Sequence, residues 1–293
     1  MRKYITAVSI AALAIGGVSA FSPGRANDIA AVATAPDPAL QMAVAADSRP
    51  ANDRARDRYR HPLQSLQFWG VRPGQVVVDL QPGGGYWTEI LAPYLAKTGG
   101  SYVAGVADLD NPKLSAGAKA DRARFEAKHA DTAVYGRIRY AAFGPVAGPL
   151  APPNSVDVIL TAREIHNWIP AGFVDKAMKD CFAALKPGGV FAVEEHRAGP
   201  KTAALEASGQ FTGYVSTKAV VDAAKKAGFV LDASSEINAN PKDTKDYPFG
   251  VWTLPPSRDS AGSGHAALTT AQRARYDAIG ESDRMTLRFR KPA

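Results

Sequence analysis

The chain has 293 residues, with 35 Lys and Arg against 28 Asp and Glu, a formal net charge of +7 and 46% apolar residues. This is too apolar for a disordered chain, and the mild, dispersed positive excess excludes the concentrated basic patch of a nucleic-acid binder. A single cysteine, Cys181, excludes an intrachain disulfide; set in Met178–Leu185 it reads as a small buried hydrophobe on a helix face.

At the start of the chain, Met1-Arg2-Lys3 supplies a positive region, Tyr4–Gly17 an apolar stretch, and Val18-Ser19-Ala20 a small-residue cleavage site. Residues 1–20 therefore read as a signal peptide, with export to the periplasm. The stretch is short for a bilayer span and has no stop-transfer pattern after it, so no stable membrane anchor is expected. Cleavage would remove Arg2 and Lys3 and lower the net charge from +7 to +5. Residues 21–50, rich in Ala, Pro, Asp and Val without a period, read as a flexible linker, leaving 51–293 as one domain.

Within that domain strands and helices alternate. Asp53–Arg60 reads as a polar, Arg-rich helix (Arg54, Arg56, Arg58, Arg60), either a solvated face or a lid that pairs with an anion. Leu63–Trp69 is a short helix, and Val76–Leu80 a buried strand. A helix over Trp87–Ala96 follows, then a strand at Tyr102–Ala107, a helix at Ala116–His129 and strands at Arg137–Phe143 and Val156–Ala162. Phe173–Leu185 is a helix stopped by Lys186–Gly189, Val190–Val193 a fifth strand and Thr217–Ala227 a helix. Phe229–Ile237 and Met285–Arg290 are extended. The order implies a doubly wound α/β fold of seven strands, mostly parallel, closed by an antiparallel C-terminal hairpin.

Asp79 followed by Gln81-Pro82-Gly83-Gly84-Gly85 is a strand-to-helix turn whose backbone a ligand can approach closely, which suits a nucleotide-like cofactor. Two strand ends carry chemistry: Arg163, Glu164, His166, Asn167 and Trp168 after the fourth, and Glu194, Glu195, His196 and Arg197 after the fifth. Neighbouring strands would bring both sets to one rim, where His166, His196 and Glu195 can act as an acid–base group. The alternative is that they brace loops. Their spacing matches no metal-ligand signature, and no metal is expected. The connection from Asn238 to Asp283 is far longer than an ordinary hairpin loop. It carries Asn240, Lys242 and Trp252, which with Asn167 and Trp168 are candidate substrate-binding residues; the connection could equally be a structural cover.

These motifs resemble those of class I S-adenosylmethionine-dependent methyltransferases, and more narrowly those of exported, predicted bacterial methyltransferases. The likeness runs from about Arg49 to Pro292. It rests on Gly70–Gly74, Pro82–Leu95, His166–Trp168, Leu185–Gly189 and Glu194–Ala198. Three further stretches, Ala239–Thr244, Gly250–Pro256 and Ile279–Thr286, are more specific to the narrow family. The resemblance implies that Asp79, Gly83, Gly84 and Gly85 form the S-adenosylmethionine loop and that Asp108, or alternatively Asp110, holds the ribose. Two positions depart from the family: Gln81 stands where glycine is usual, and Tyr140–Gly144 lacks the usual acid. The implied activity is methyl transfer to a small-molecule substrate, aromatic or hydroxylated. The alternatives are a cofactor-independent lyase or isomerase using His166 and His196, and a non-catalytic binding protein.

Overall fold

The computed structural model describes residues 37–207, 211–262 and 264–293; the signal-peptide reading and the first part of the linker reading lie outside them. Seven strands form one sheet: β1 (Val76–Leu80), β2 (Ser101–Val106), β3 (Arg139–Ala142), β4 (Val156–Ala162), β5 (Leu185–His196), β6 (Val230–Ser235) and β7 (Arg284–Arg290), in the spatial order β3-β2-β1-β4-β5-β7-β6. The pairs β1·β2, β1·β4, β2·β3 and β4·β5 are parallel, and β7 lies antiparallel between β5 and β6. The doubly wound fold with an antiparallel C-terminal strand is therefore as expected.

Alternation along β1 divides the core. Val78 and Leu80 join one apolar layer with Ile159, Phe191 and Val193, while Val77 joins the other with Leu160, Ala192 and Trp69. Helix α9 (Val174–Ala184) covers the first layer with Ala177, Met178, Cys181 and Ala184, so Cys181 is the buried hydrophobe its setting implied. On the other side, α4 (Pro62–Phe68) and α5 (Thr88–Lys97) contribute Leu66, Ile90, Leu91 and Leu95.

Three local expectations are corrected. The linker reading of 21–50 ends too late, because α1 (Pro38–Ala45) is a capped helix: Asp37 accepts from the Leu40 amide and from the Tyr94 hydroxyl. Leu40 is fully buried beneath it, and buried Arg49 binds Asp57 through both terminal nitrogens, at 2.7 and 2.8 Å. The single helix over Asp53–Arg60 is instead two short turns, α2 (Ala51–Arg54) and α3 (Asp57–Arg60). The stop at Lys186–Gly189 is a bulge inside β5, where the pairing with β4 jumps from Val156↔Leu185 to Val158↔Val190.

Between β6 and β7 the described residues of the long connection carry structure of their own. Tyr247, Val251 and Leu254 pack with Tyr214 in a small apolar cluster, and α12 (Thr270–Ile279) starts at a capping box of Thr269 and Gln272. Among the described residues no helix is long and apolar enough to cross a membrane.

Candidate active site at the carboxyl ends of the strands

The turn after β1 is built around Gln81. Its φ of +50° is the left-handed conformation that a glycine at this position would supply. The side chain offsets that strain by accepting a 2.5 Å hydrogen bond from the Trp168 indole, so the loop keeps its course without the glycine. Gly83 (φ +56°) and Gly85 (φ +91°) also need left-handed backbone, and a Cβ on Gly85 would lie 2.6 Å from the His129 ring. Gly84 faces open space instead.

Two hollows flank this turn and share Gln81, Pro82, Gly83 and Glu164 in their walls. One, of about 250 Å³, is bounded by Arg56, Arg60, Asp79, Tyr86 and Arg163. The other, of about 240 Å³, is bounded by Val106, Ala107, Arg122 and Phe125. Either alone is below the roughly 300–1,000 Å³ of ordinary small-molecule sites; they share the wall residues of the glycine turn, and an elongated ligand lying across that turn would occupy both as one trough.

The charge of the first hollow is unusual. Arg60 is fully buried; its Nε bonds Glu281 at 2.9 Å and its guanidinium lies 4.4 Å over the Tyr86 ring. The two terminal nitrogens of Arg60 have no hydrogen-bond partner among the described residues. Glu281 also receives Arg56 (2.8 Å) and Arg284 (2.6 Å), and Arg284 reaches Glu194 at 2.6 Å. A buried guanidinium with free N–H groups is costly unless an anion completes it, and its planar fork matches a carboxylate. Two protonatable groups face the cations. Burial pushes the Asp79 carboxyl up to about 7 although Tyr102 donates to it at 2.9 Å. Burial likewise lifts Glu164 to about 7, opposed by the Asn167 amide and reinforced by the charge of Glu195.

Next to the trough, the ends of β4 and β5 bring His166, Glu195 and His196 together. His166 lies on the one-turn helix α8 (Ile165–Trp168), and its Nδ1 is 3.0 Å from Glu195 Oε1. Glu195 is fully buried and also accepts from the backbone amides of His196 (2.8 Å) and His166 (3.3 Å). His196 Nδ1 lies 2.6 Å from Ser282 Oγ, and burial together with the charges of His166, Arg163 and Arg284 holds its pKa well below the ordinary value. The two imidazole centroids are 5.2 Å apart, and the Trp252 ring lies 5.9 Å from His166.

Other expected residues are placed differently. Trp168 is fully buried against Phe143 and Phe173 with its N–H on Gln81, so it belongs to the core and does not line a substrate site. Asn240 is spent on loop closure, donating to the Ile279 and Glu281 carbonyls. Lys242 is exposed, and exposed Asn167 donates to Glu164. Asp108 caps its own turn by accepting from the Asp110 amide and lines neither hollow; Arg122 and Phe125 line the second one. Of the expected substrate-binding set, Trp252 makes a ring contact with His166. Sequence reasoning missed Arg60, Glu281, Arg284 and Ser282 as parts of one assembly, because Arg60 and Glu281 are 221 positions apart.

No protein-family model matches the chain, and no curated protein matches it in sequence. Among solved structures it is similar to the [4+2]-cyclase SpnF (16% identity, TM-score 0.52, covering 83% of this chain and 82% of that one). It also matches a chain of the Haloferax volcanii complex with the Trm112 methyltransferase activator (16% identity, TM-score 0.49, 89% and 100% covered). A third match is the S-adenosylmethionine-dependent methyltransferase of Mesorhizobium loti (16% identity, TM-score 0.43, 78% and 96% covered). At these identities the likeness is one of fold.

Proposed function

We propose that this protein is an exported class I S-adenosylmethionine-dependent methyltransferase acting on a small acceptor, aromatic or hydroxylated. The observation that carries the reading is the pair of hollows meeting at Gln81–Gly83, with Arg60 nitrogens that have no partner among the described residues in the wall beside Asp79 and Glu164. That donor set suits an amino-acid head group. Arg60 would receive the α-carboxylate, Asp79 and Glu164 the ammonium, and the far hollow beside Phe125 and Arg122 the adenosine. S-adenosylmethionine would supply an electrophilic methyl group on its sulfonium sulfur. For the chain's own part, Glu195 holds His166 through its Nδ1, His166 would take a proton from an acceptor hydroxyl, and Trp252 would bound the acceptor side.

A cofactor-independent lyase or isomerase is the second reading. It is favoured by the fact that the His166–Glu195 pair and the uncharged His196 are complete without a cofactor. SpnF, named a [4+2]-cyclase, has a similar fold.

Calorimetry with S-adenosylmethionine and its demethylated product separates the two. Micromolar binding to the wild type and none to a folded Gly84→Val variant is the expected result, since Gly84 has room for a side chain only where the ligand must approach. No binding at millimolar ligand would reject the methyltransferase, and turnover without added cofactor would establish the second reading.

A further inference from the structure

His166 and His196 stand 30 positions apart with no ligand spacing, yet the fold places one donor atom of each, and one of Glu195, within 4.8 Å of one another. We propose that His166, Glu195 and His196 form a binding site for a divalent first-row transition ion, with Zn²⁺ the first choice. The site is distinct from the S-adenosylmethionine trough, and the proposal stands whether or not that cofactor binds.

The donor set is two imidazoles and one carboxylate, the combination of catalytic zinc sites and of non-haem iron sites with open positions. Metal–ligand bonds of about 2.0–2.1 Å put neighbouring donors about 2.9 Å apart in an octahedron and about 3.3 Å apart in a tetrahedron. The separation of 3.0 Å between His166 Nδ1 and Glu195 Oε1 is already such an edge. The remaining donor must move closer by at most about 1.5 Å to complete a tetrahedral face, within reach of a rotation of the half-buried His196 ring.

The surrounding groups orient these donors as metal ligands are usually oriented. Ser282 Oγ occupies His196 Nδ1 at 2.6 Å, which leaves Nε2 as the nitrogen that faces an ion. Glu195 is gripped by two backbone amides and cannot swing away. His196 Nε2 has no hydrogen-bond partner among the described residues, and His166 Nδ1 would exchange its hydrogen bond to Glu195 for the ion. With three protein ligands, an ion here keeps at least one position free, on the side edged by Trp252. That position would take the acceptor's hydroxyl oxygen and lower its pKa, so that its proton passes to water, and with the ion bound this replaces the base role of His166.

The test uses tag-free full-length protein stripped with chelator, with no S-adenosylmethionine present. It is titrated with Zn²⁺ by calorimetry and with Co²⁺ by visible absorption. The expected result is one equivalent bound, a Co²⁺ spectrum with nitrogen ligation, and loss of both in His196→Ala and Glu195→Gln. Ser282→Ala removes no ligand and leaves the buried donors in place; it should weaken Zn²⁺ binding by about tenfold or more through the loosened imidazole. Absence of stoichiometric binding at about 0.1 mM Zn²⁺ in the wild type would overturn the proposal. Binding that is unchanged in a folded His166→Ala/His196→Ala double variant would overturn it too, by assigning the ion to His61, His129 or His265.

Discussion

Asp79 ends β1 beneath the glycine turn with 1% of its surface exposed. Burial lifts its carboxyl from an ordinary 3.8 to about 7, a rise that the Tyr102 hydroxyl and the Arg163 charge reduce without cancelling. A carboxyl raised in the folded state destabilises the fold once the unfolded chain can ionise. Below about pH 4 both states hold the proton and nothing changes. Between about pH 4 and 7 the unfolded chain releases a proton that the folded chain retains, so stability falls as pH rises, and above 7 the full penalty is present. Three pKa steps at about 1.4 kcal/mol each set a ceiling of about 4 kcal/mol. Asp79→Asn keeps an oxygen for the Tyr102 hydroxyl and removes the titration. Ligand-free Asp79→Asn protein should therefore be more stable than wild type at pH 8, by about 1–4 kcal/mol, with the difference shrinking to about 1 kcal/mol or less at pH 4.5 and vanishing near pH 3. Urea unfolding of both proteins across that range measures the difference, which cancels contributions from the other groups. A variant less stable than wild type at pH 8, or a difference that does not vary with pH, would refute the reasoning. The same carboxylate should make binding of a ligand ammonium tighten as pH rises through 7.

Gly85→Ala should lose about 1–3 kcal/mol of stability, read as a lower urea midpoint, because its φ of +91° is unfavourable for alanine and the new Cβ would lie 2.6 Å from His129. His166→Ala should lower the rate on an identified substrate by about 10²–10⁴-fold if this ring moves the proton. Since His166 is 4% exposed and not a free rim residue, thermal unfolding of that variant should also shift by about 1–3 kcal/mol, and a shift in unfolding without a rate loss would make the ring structural. Fractionation of cells should find a mature form beginning near Phe21 outside the cytosol; full-length protein confined to the cytosol would reject export.

The strands at Val76–Leu80 and Val156–Ala162 and the helix ending at Ala184 were legible because unbroken β-branched runs and a helical apolar stripe have few other uses. Helix α1 was not, since it buries Leu40 and no other residue, and a stretch so rich in Ala and Pro has no visible period. The capping residues Thr269 and Gln272 did announce α12, a signal that lay unread within a stretch taken as loop. At the site, His166, Glu195 and His196 could be placed together because they end neighbouring strands. Trp168 misled because an aromatic beside a histidine looks the same in sequence whether its ring faces a ligand or the core. The arginines of the first turns could be read either as a solvated face or as an anion-pairing lid, because Glu281, the partner of Arg56 and Arg60, lies more than two hundred positions away in sequence.

The strand β7 occupies the interior of the sheet, bonded to β5 on one side and β6 on the other, and its Leu287 carbonyl also receives the Trp69 indole at 3.1 Å. It follows 46 residues of intervening chain after Ile237, so the order of synthesis and the order of the sheet disagree. Until residues 284–290 emerge, β5 and β6 have no common neighbour, and the Asn238 amide lacks its bond to Thr286. Pairings this distant in sequence form slowly, because the intervening loop must be closed first. If the chain is exported, that delay would be useful, since a chain that cannot yet complete its sheet would stay loose enough to be threaded through a membrane.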